Sequence, residues 1–151
     1  PDPSHRYELP GTFPVRLTVA RGSEQDQAQR LVTVTEARGC TSDDDTLCLL
    51  DRFRIEVAWE DFEGQTGVGH AIPLTEDTGA FWFFRAGNLE LMLKVLDGRS
   101  LNDCFWVYNG ALSTVGYTIT VSDSLTGTTV SYANPPGGLA SRADTAALCG
   151  L

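Results

Sequence analysis

The chain has 151 residues, 21% of them charged, and a formal net charge of −9. That length supports a domain with its own core, and the acidic balance excludes nucleic acid as a partner, because phosphate recognition needs clustered Lys and Arg. No stretch is apolar for long enough to span a bilayer as a helix, and no signal peptide is present, which is also how a mature secreted chain reads.

In chain order, the first signals are two strands. Val15, Leu17 and Val19 alternate with Arg16 and Thr18, and after a polar turn Val32 and Val34 alternate with Thr33 and Thr35. A period of two with β-branched enrichment marks a half-buried strand. The composition shifts near "EARGC", residues 36 to 40, which sets a boundary between a segment 1–37 and a module 38–151.

Four cysteines, an even number, fit an oxidising compartment and an extracellular or cell-surface location. Cys40 and Cys48 enclose the short "TSDDDTL", whereas Cys104 and Cys149 enclose residues 105 to 148. Of the three possible connectivities, Cys40–Cys48 with Cys104–Cys149 is the one expected. A zinc site is disfavoured because no C-x-x-C pair exists.

Further along, Phe53, Ile55, Val57 and Trp59 alternate with Arg54, Glu56, Ala58 and Glu60. "GAFWFF" (79–84) and "CFWVY" (104–108) are apolar at every position and read as strands covered on both faces. In "LELMLKVLD" (89–97), Leu89, Leu91, Leu93 and Val95 alternate with Glu90, Met92, Lys94 and Leu96. Tyr117, Ile119 and Val121 do the same with Thr118, Thr120 and Ser122. Turn signals such as "EGQTG", "LDGRS" and "NPPGG" separate these runs. The tail "LASRADTAALC" has weak periodicity, with Cys149 to tie it down. Many short strands at this spacing predict an all-β fold, an antiparallel β-sandwich.

The stretch "SHRYELPGTFPVRLTVARG", residues 4 to 22, with "QRLVTVTE" after it, resembles the C-terminal half of a polycystic-kidney-disease-type (PKD) repeat, an Ig-like sandwich of secreted and surface proteins. His5, Tyr7, Pro10, Gly11, Phe13, Val15, Leu17 and Val19 match its pattern, followed by Val32 and Val34. The repeat's earlier half, with its Trp and Gly-Asp-Gly turn, has no counterpart. Residues 52 to 135 resemble a module of secreted bacterial proteins for which no catalytic role is established. These resemblances imply an Ig-like module preceded by an incomplete strand pair. An isolated hairpin is marginal in water, so Phe13, Val15, Leu17, Val19, Val32 and Val34 are expected to form an interface. Upstream domains of the same polypeptide, the 38–151 module, or a neighbouring copy adding strands would cover it. In the last arrangement, head-to-tail repetition builds a fibre.

No catalytic residues, metal ligands or cofactors are expected. His5 and His70 lack a recognisable nucleophile partner, and no G-x-S-x-G elbow appears. Glu56, Glu60, Asp61 and Glu63 cluster near one strand end, but Glu56 and Glu60 occupy the alternating positions of a solvated face. "SDDDT" (42–46) lacks the spacing of a calcium loop, and Asp77 and Asp97 read as turn formers. Trp59, Trp82 and Trp106 read mainly as core; exposure of Trp82 or Trp106 would instead make a platform for a sugar ring. The reading that follows is a non-catalytic extracellular structural subunit of a surface fibre, joined by β-strand complementation. The alternative is a carbohydrate-binding accessory module of a larger secreted hydrolase.

Overall fold

The computed structural model describes residues 11–34 and 39–150, which belong to two compact units, Pro1–Arg38 and Gly39–Leu151. The expected boundary at 37/38 and the motif positions His5, Tyr7 and Pro10 lie outside the described residues.

The first unit is a hairpin of β1 (Gly11–Arg21) and β2 (Glu24–Val34), paired antiparallel from Gly11↔Val34 to Arg21↔Glu24. Its two-residue turn has positive φ at Gly22 (62°) but not at Ser23, the pattern of a type II′ turn, whose twist matches that of the flanking strands. The register fixes which side chains share a face. Gly11/Val34, Phe13/Val32, Val15/Arg30, Leu17/Ala28 and Val19/Asp26 lie on one side, so all six apolar positions named above are coplanar. Thr12/Thr33, Arg16/Gln29, Thr18/Gln27 and Ala20/Gln25 lie on the other with Pro14/Leu31, a mostly polar face on which Leu31 is exposed.

The second unit is an antiparallel two-layer sandwich. Its first sheet has the order β11 (Thr129–Asn134), β10 (Gly116–Asp123), β4 (Phe53–Glu60), β3 (Thr46–Leu49), with β5 (Thr66–Val68) pairing the far half of β4. The second has the order β12 (Ser141–Cys149), β9 (Cys104–Ala111), β8 (Leu89–Asp97), β7 (Thr78–Trp82), β6 (His70–Pro73). A single turn of helix, α1 (Arg99–Asn102), joins β8 to β9. β5 and β6 are consecutive, so the chain changes sheets at Gly69. A methyl group there would lie 3.1 Å from Val57 Cβ and 3.2 Å from the Phe83 ring, tight enough that these neighbours would have to give way.

The alternation in the sequence decides what each sheet buries. Phe53, Ile55, Ile119 and Val121 from the first sheet meet Phe81, Leu91, Leu93, Val95 and Val107 from the second, all at most 1% exposed. Each such side chain contributes roughly 1.5–3 kcal/mol by leaving water. The two runs that are apolar at every position are covered on one face only: Phe81 and Phe105 point into the core, whereas Trp82, Trp106 and Tyr108 lie half-buried on the outer face of the second sheet. Among the described residues of this unit no third layer covers them: Trp82 is covered by the His70 ring and Trp106 by the turn at Gly98 and Asn102. The weakly periodic tail is β12, an edge strand whose register shifts between Asp144 and Leu148, and that irregularity is what blurs the alternation.

Both disulfides have the expected pairing, Cys40–Cys48 and Cys104–Cys149. The second joins directly opposed residues of β9 and β12, with Cα atoms 3.9 Å apart, and so fastens the edge strand to the sheet. Replacing Cys104 and Cys149 together by Ser is expected to lower unfolding free energy by about 2–5 kcal/mol, read by urea titration under non-reducing conditions.

At the base of the sandwich, Leu50 and Asp51 both adopt left-handed φ (55° and 50°) in the β3–β4 turn. For residues with a Cβ this conformation costs roughly 1–2 kcal/mol each. Arg52 anchors the turn. Its Nε and Nη2 donate to Asp123 Oδ1 and Oδ2 at 2.8 and 2.6 Å, and its carbonyl accepts from the Ser124 amide and hydroxyl. The Asp123 side chain is fully buried and also accepts from the Leu125 amide and the Thr126 hydroxyl. Burial by itself would raise the Asp123 pKa, but the hydrogen bonds from Arg52, Leu125 and Thr126 and the guanidinium charge outweigh it and hold the group at about 2. Because the folded value lies below the unfolded one, the contribution is complete above about pH 4 and is lost as pH falls toward 2, about 2 kcal/mol in all. Asp123→Asn is expected to cost about 3–5 kcal/mol at neutral pH by stranding the buried guanidinium, and to flatten that acid limb in a pH series of thermal melts.

Candidate functional site

His70, on β6, stacks on Trp82 with ring centroids 4.0 Å apart, and its Nδ1 lies 2.9 Å from Asp45 Oδ1. That contact ties the small disulfide loop to the second sheet, where the Ala71 amide also donates to the Asp44 carbonyl. Within the acidic loop, Asp43 accepts from the amides of Asp45 and Thr46, and its pKa is lowered, chiefly by the Asp45 amide. These bonds make the loop a self-capped turn. Among the described residues no group of three or more His, Cys, Asp or Glu side chains is arranged to hold a metal ion.

The carboxylates on β4 face solvent. Glu56 accepts from Arg54 at 2.8 Å, which lowers its pKa, and Asp61 caps the β4–β5 turn by accepting from the Glu63 and Gln65 amides. Asp77 accepts from Thr78 and Thr75 hydroxyls and lies 3.3 Å from Lys94; the Thr78 bond, then the Thr75 bond, bring it to about 2. Asp97 grips Arg99 through two bonds.

Of the tryptophans, Trp59 packs over Gly67, and its indole N–H donates to the Val68 carbonyl at 3.0 Å. Trp82 and Trp106 share the outer face of the second sheet but sit opposite Leu89 and Leu96, at the two ends of β8. They therefore make no common platform. Trp106 is wedged under the β8–β9 connection: it lies against Gly98, and its N–H donates to Asn102 Oδ1 at 2.8 Å. A methyl group at Gly98 would collide with the indole. Gly98→Ala is expected to cost about 1–3 kcal/mol and to shift the tryptophan emission to the red as Trp106 is displaced, which a fluorescence spectrum and a melt would read.

Between those tryptophans the same face carries a groove of about 490 Å³. Strand register builds it from two neighbouring rows. One runs Ala80–Met92–Gly110–Ser141, the other Thr78–Lys94–Tyr108–Ala143. Gly110 has no side chain, and a Cβ added there would meet only Ser141 Oγ, at 3.9 Å. The first row thus dips between Met92 and Ser141, and Tyr108 and Lys94 stand in the row beside that gap. Tyr108 was legible in sequence only as part of "CFWVY". Its place follows from four strands coming into register, which no local pattern encodes.

The hairpin is the other surface of note. Val15, Leu17 and Val19 are 39, 53 and 59% exposed, and β1 and β2 form a sheet of two strands whose outer edges pair with no other strand among the described residues. No protein-family model, curated protein or solved structure matches the chain.

Proposed function

We propose that this chain is a non-catalytic extracellular structural subunit that joins copies of itself through its N-terminal hairpin. The observation that carries this reading is the β1–β2 face itself: Val15, Leu17 and Val19 stand exposed in one row, while the other side is mostly Thr, Gln and Arg with Leu31 as its exposed large apolar residue. Apolar residues aligned on one sheet face are a signal of an interaction surface, and the PKD-like pattern of the same residues gives them a sandwich to complete. Two open strand edges supply main-chain groups for strand addition by a neighbour.

Charge favours a second copy as the occupant. Residues 1–38 hold five Arg and five carboxylates, so the whole net charge of −9 resides in the remaining residues. Two sandwiches repel each other, whereas the N-terminal segment, neutral over residues 1–38, is where like chains can approach. Two disulfides fit the oxidising surroundings of such an assembly. The titratable groups singled out from the sequence serve local structure, His70 on Trp82 and Asp45, Glu56 on Arg54.

Light scattering coupled to size exclusion, run over a concentration series, tests this. The wild-type chain is expected to gain mass with concentration, and the double variant Leu17→Asp/Val19→Asp to stay monomeric while its sandwich melts unchanged. A monomeric wild type across the series, or a variant that assembles equally well, would overturn the proposal.

A further inference from the structure

The groove on the second sheet lies apart from the hairpin and has its own chemistry. Its wall is the Tyr108 ring with the Lys94 ammonium beside it, and its rim includes Thr78, Ser141 and Arg142. No carboxylate lines it, although the unit to which it belongs carries the entire −9. Lys94 is the single lysine of the chain, and Asp77, outside the lining, holds its ammonium in place at 3.3 Å.

From these features we infer that the groove binds an acidic glycan, with the C–H face of a uronic acid ring against Tyr108 and its carboxylate on Lys94. An aromatic ring with an apolar face to offer and a few fixed polar groups around it is the usual composition of a small-ligand site, and a volume of about 490 Å³ lies within the common range of about 300–1,000 Å³. The small residues Gly110, Ser141 and Ala143 leave the tyrosine side of the trough open to a flat ligand. The trough crosses β7, β8, β9 and β12 rather than following a strand edge, so an extended peptide lying in it gains no ladder of main-chain hydrogen bonds. A glycan has no need of one. Asp77 engages the Lys94 ammonium from one side, and the ammonium's remaining N–H groups can donate to a ligand carboxylate, a charge-assisted bond that a neutral sugar cannot offer in return.

The probe is a galacturonic acid oligomer, compared with a neutral galactose oligomer of equal length and with an oligoglutamate peptide, by isothermal titration calorimetry. A second readout is acetylation of Lys94 followed by mass spectrometry, which is unambiguous because no other lysine competes. The uronic oligomer is expected to bind, to weaken with added salt, and to protect Lys94. Lys94→Gln is expected to weaken binding by about tenfold, and Tyr108→Ala to abolish it. Gly110→Val fills the trough at a position with room for a Cβ, so it is expected to abolish binding while leaving the melting temperature intact. Absence of binding by the uronic oligomer overturns the inference, as does equal binding of the neutral sugar or the peptide. Undiminished binding by Gly110→Val does so as well. None of these results bears on the hairpin, whose assembly is read independently by mass.

Discussion

The ion pair between Arg52 and Asp123 is the constraint on which the sandwich is hung. Asp123 is wholly out of water and accepts from three donors besides the Arg52 Nε, namely Arg52 Nη2, the Leu125 amide and the Thr126 hydroxyl. A carboxylate so placed is tolerable only when fully bonded. In return it pins the C-terminal end of β10 to the β3–β4 turn, so two strands on either side of β4 cannot slide. The guanidinium also lies over the rings of Phe53 and Phe105, 5.2 and 4.6 Å from their centroids. Phe105 belongs to the opposite sheet. One side chain therefore holds a strained turn, closes the base of the core and links the two layers.

The strands that bury one face were legible because their alternation is complete. Phe53 to Glu60 and Tyr117 to Ser122 fall where a period of two places them, and the cysteines pair as their spacing suggested. What was not legible depends on partners distant in sequence. "LLDR" contains neither Gly nor Asn, the residues that usually announce a left-handed turn, and only Asp123, seventy-one residues on, explains why Leu50 and Asp51 accept that backbone. The groove beside Tyr108 was hidden for the same reason. Its rows take one or two residues from each of four strands, and the glycine that opens it looks like any other in the sequence.

The two units differ in how they solve the burial problem. In the sandwich, each sheet is the other's cover, and acidic side chains are free to occupy the outer surfaces, as Glu56 does. The hairpin has the same alternation and the same kind of apolar row, yet Val15, Leu17 and Val19 in that row are exposed. Sequence pattern marks both as half-buried strands. What sets the sandwich strands apart is the opposing sheet, which no local pattern within a strand encodes.

The bridge between Cys104 and Cys149 has a mechanical corollary. Tension applied along the chain at residues flanking the sandwich would pass from Cys104 to Cys149 through the covalent sulfur link, bypassing the forty-four residues between them. Strands β9, β10, β11 and β12 would form a closed loop that a pulling force cannot lengthen. Under load, the covalent link would leave extension to the residues before Cys104.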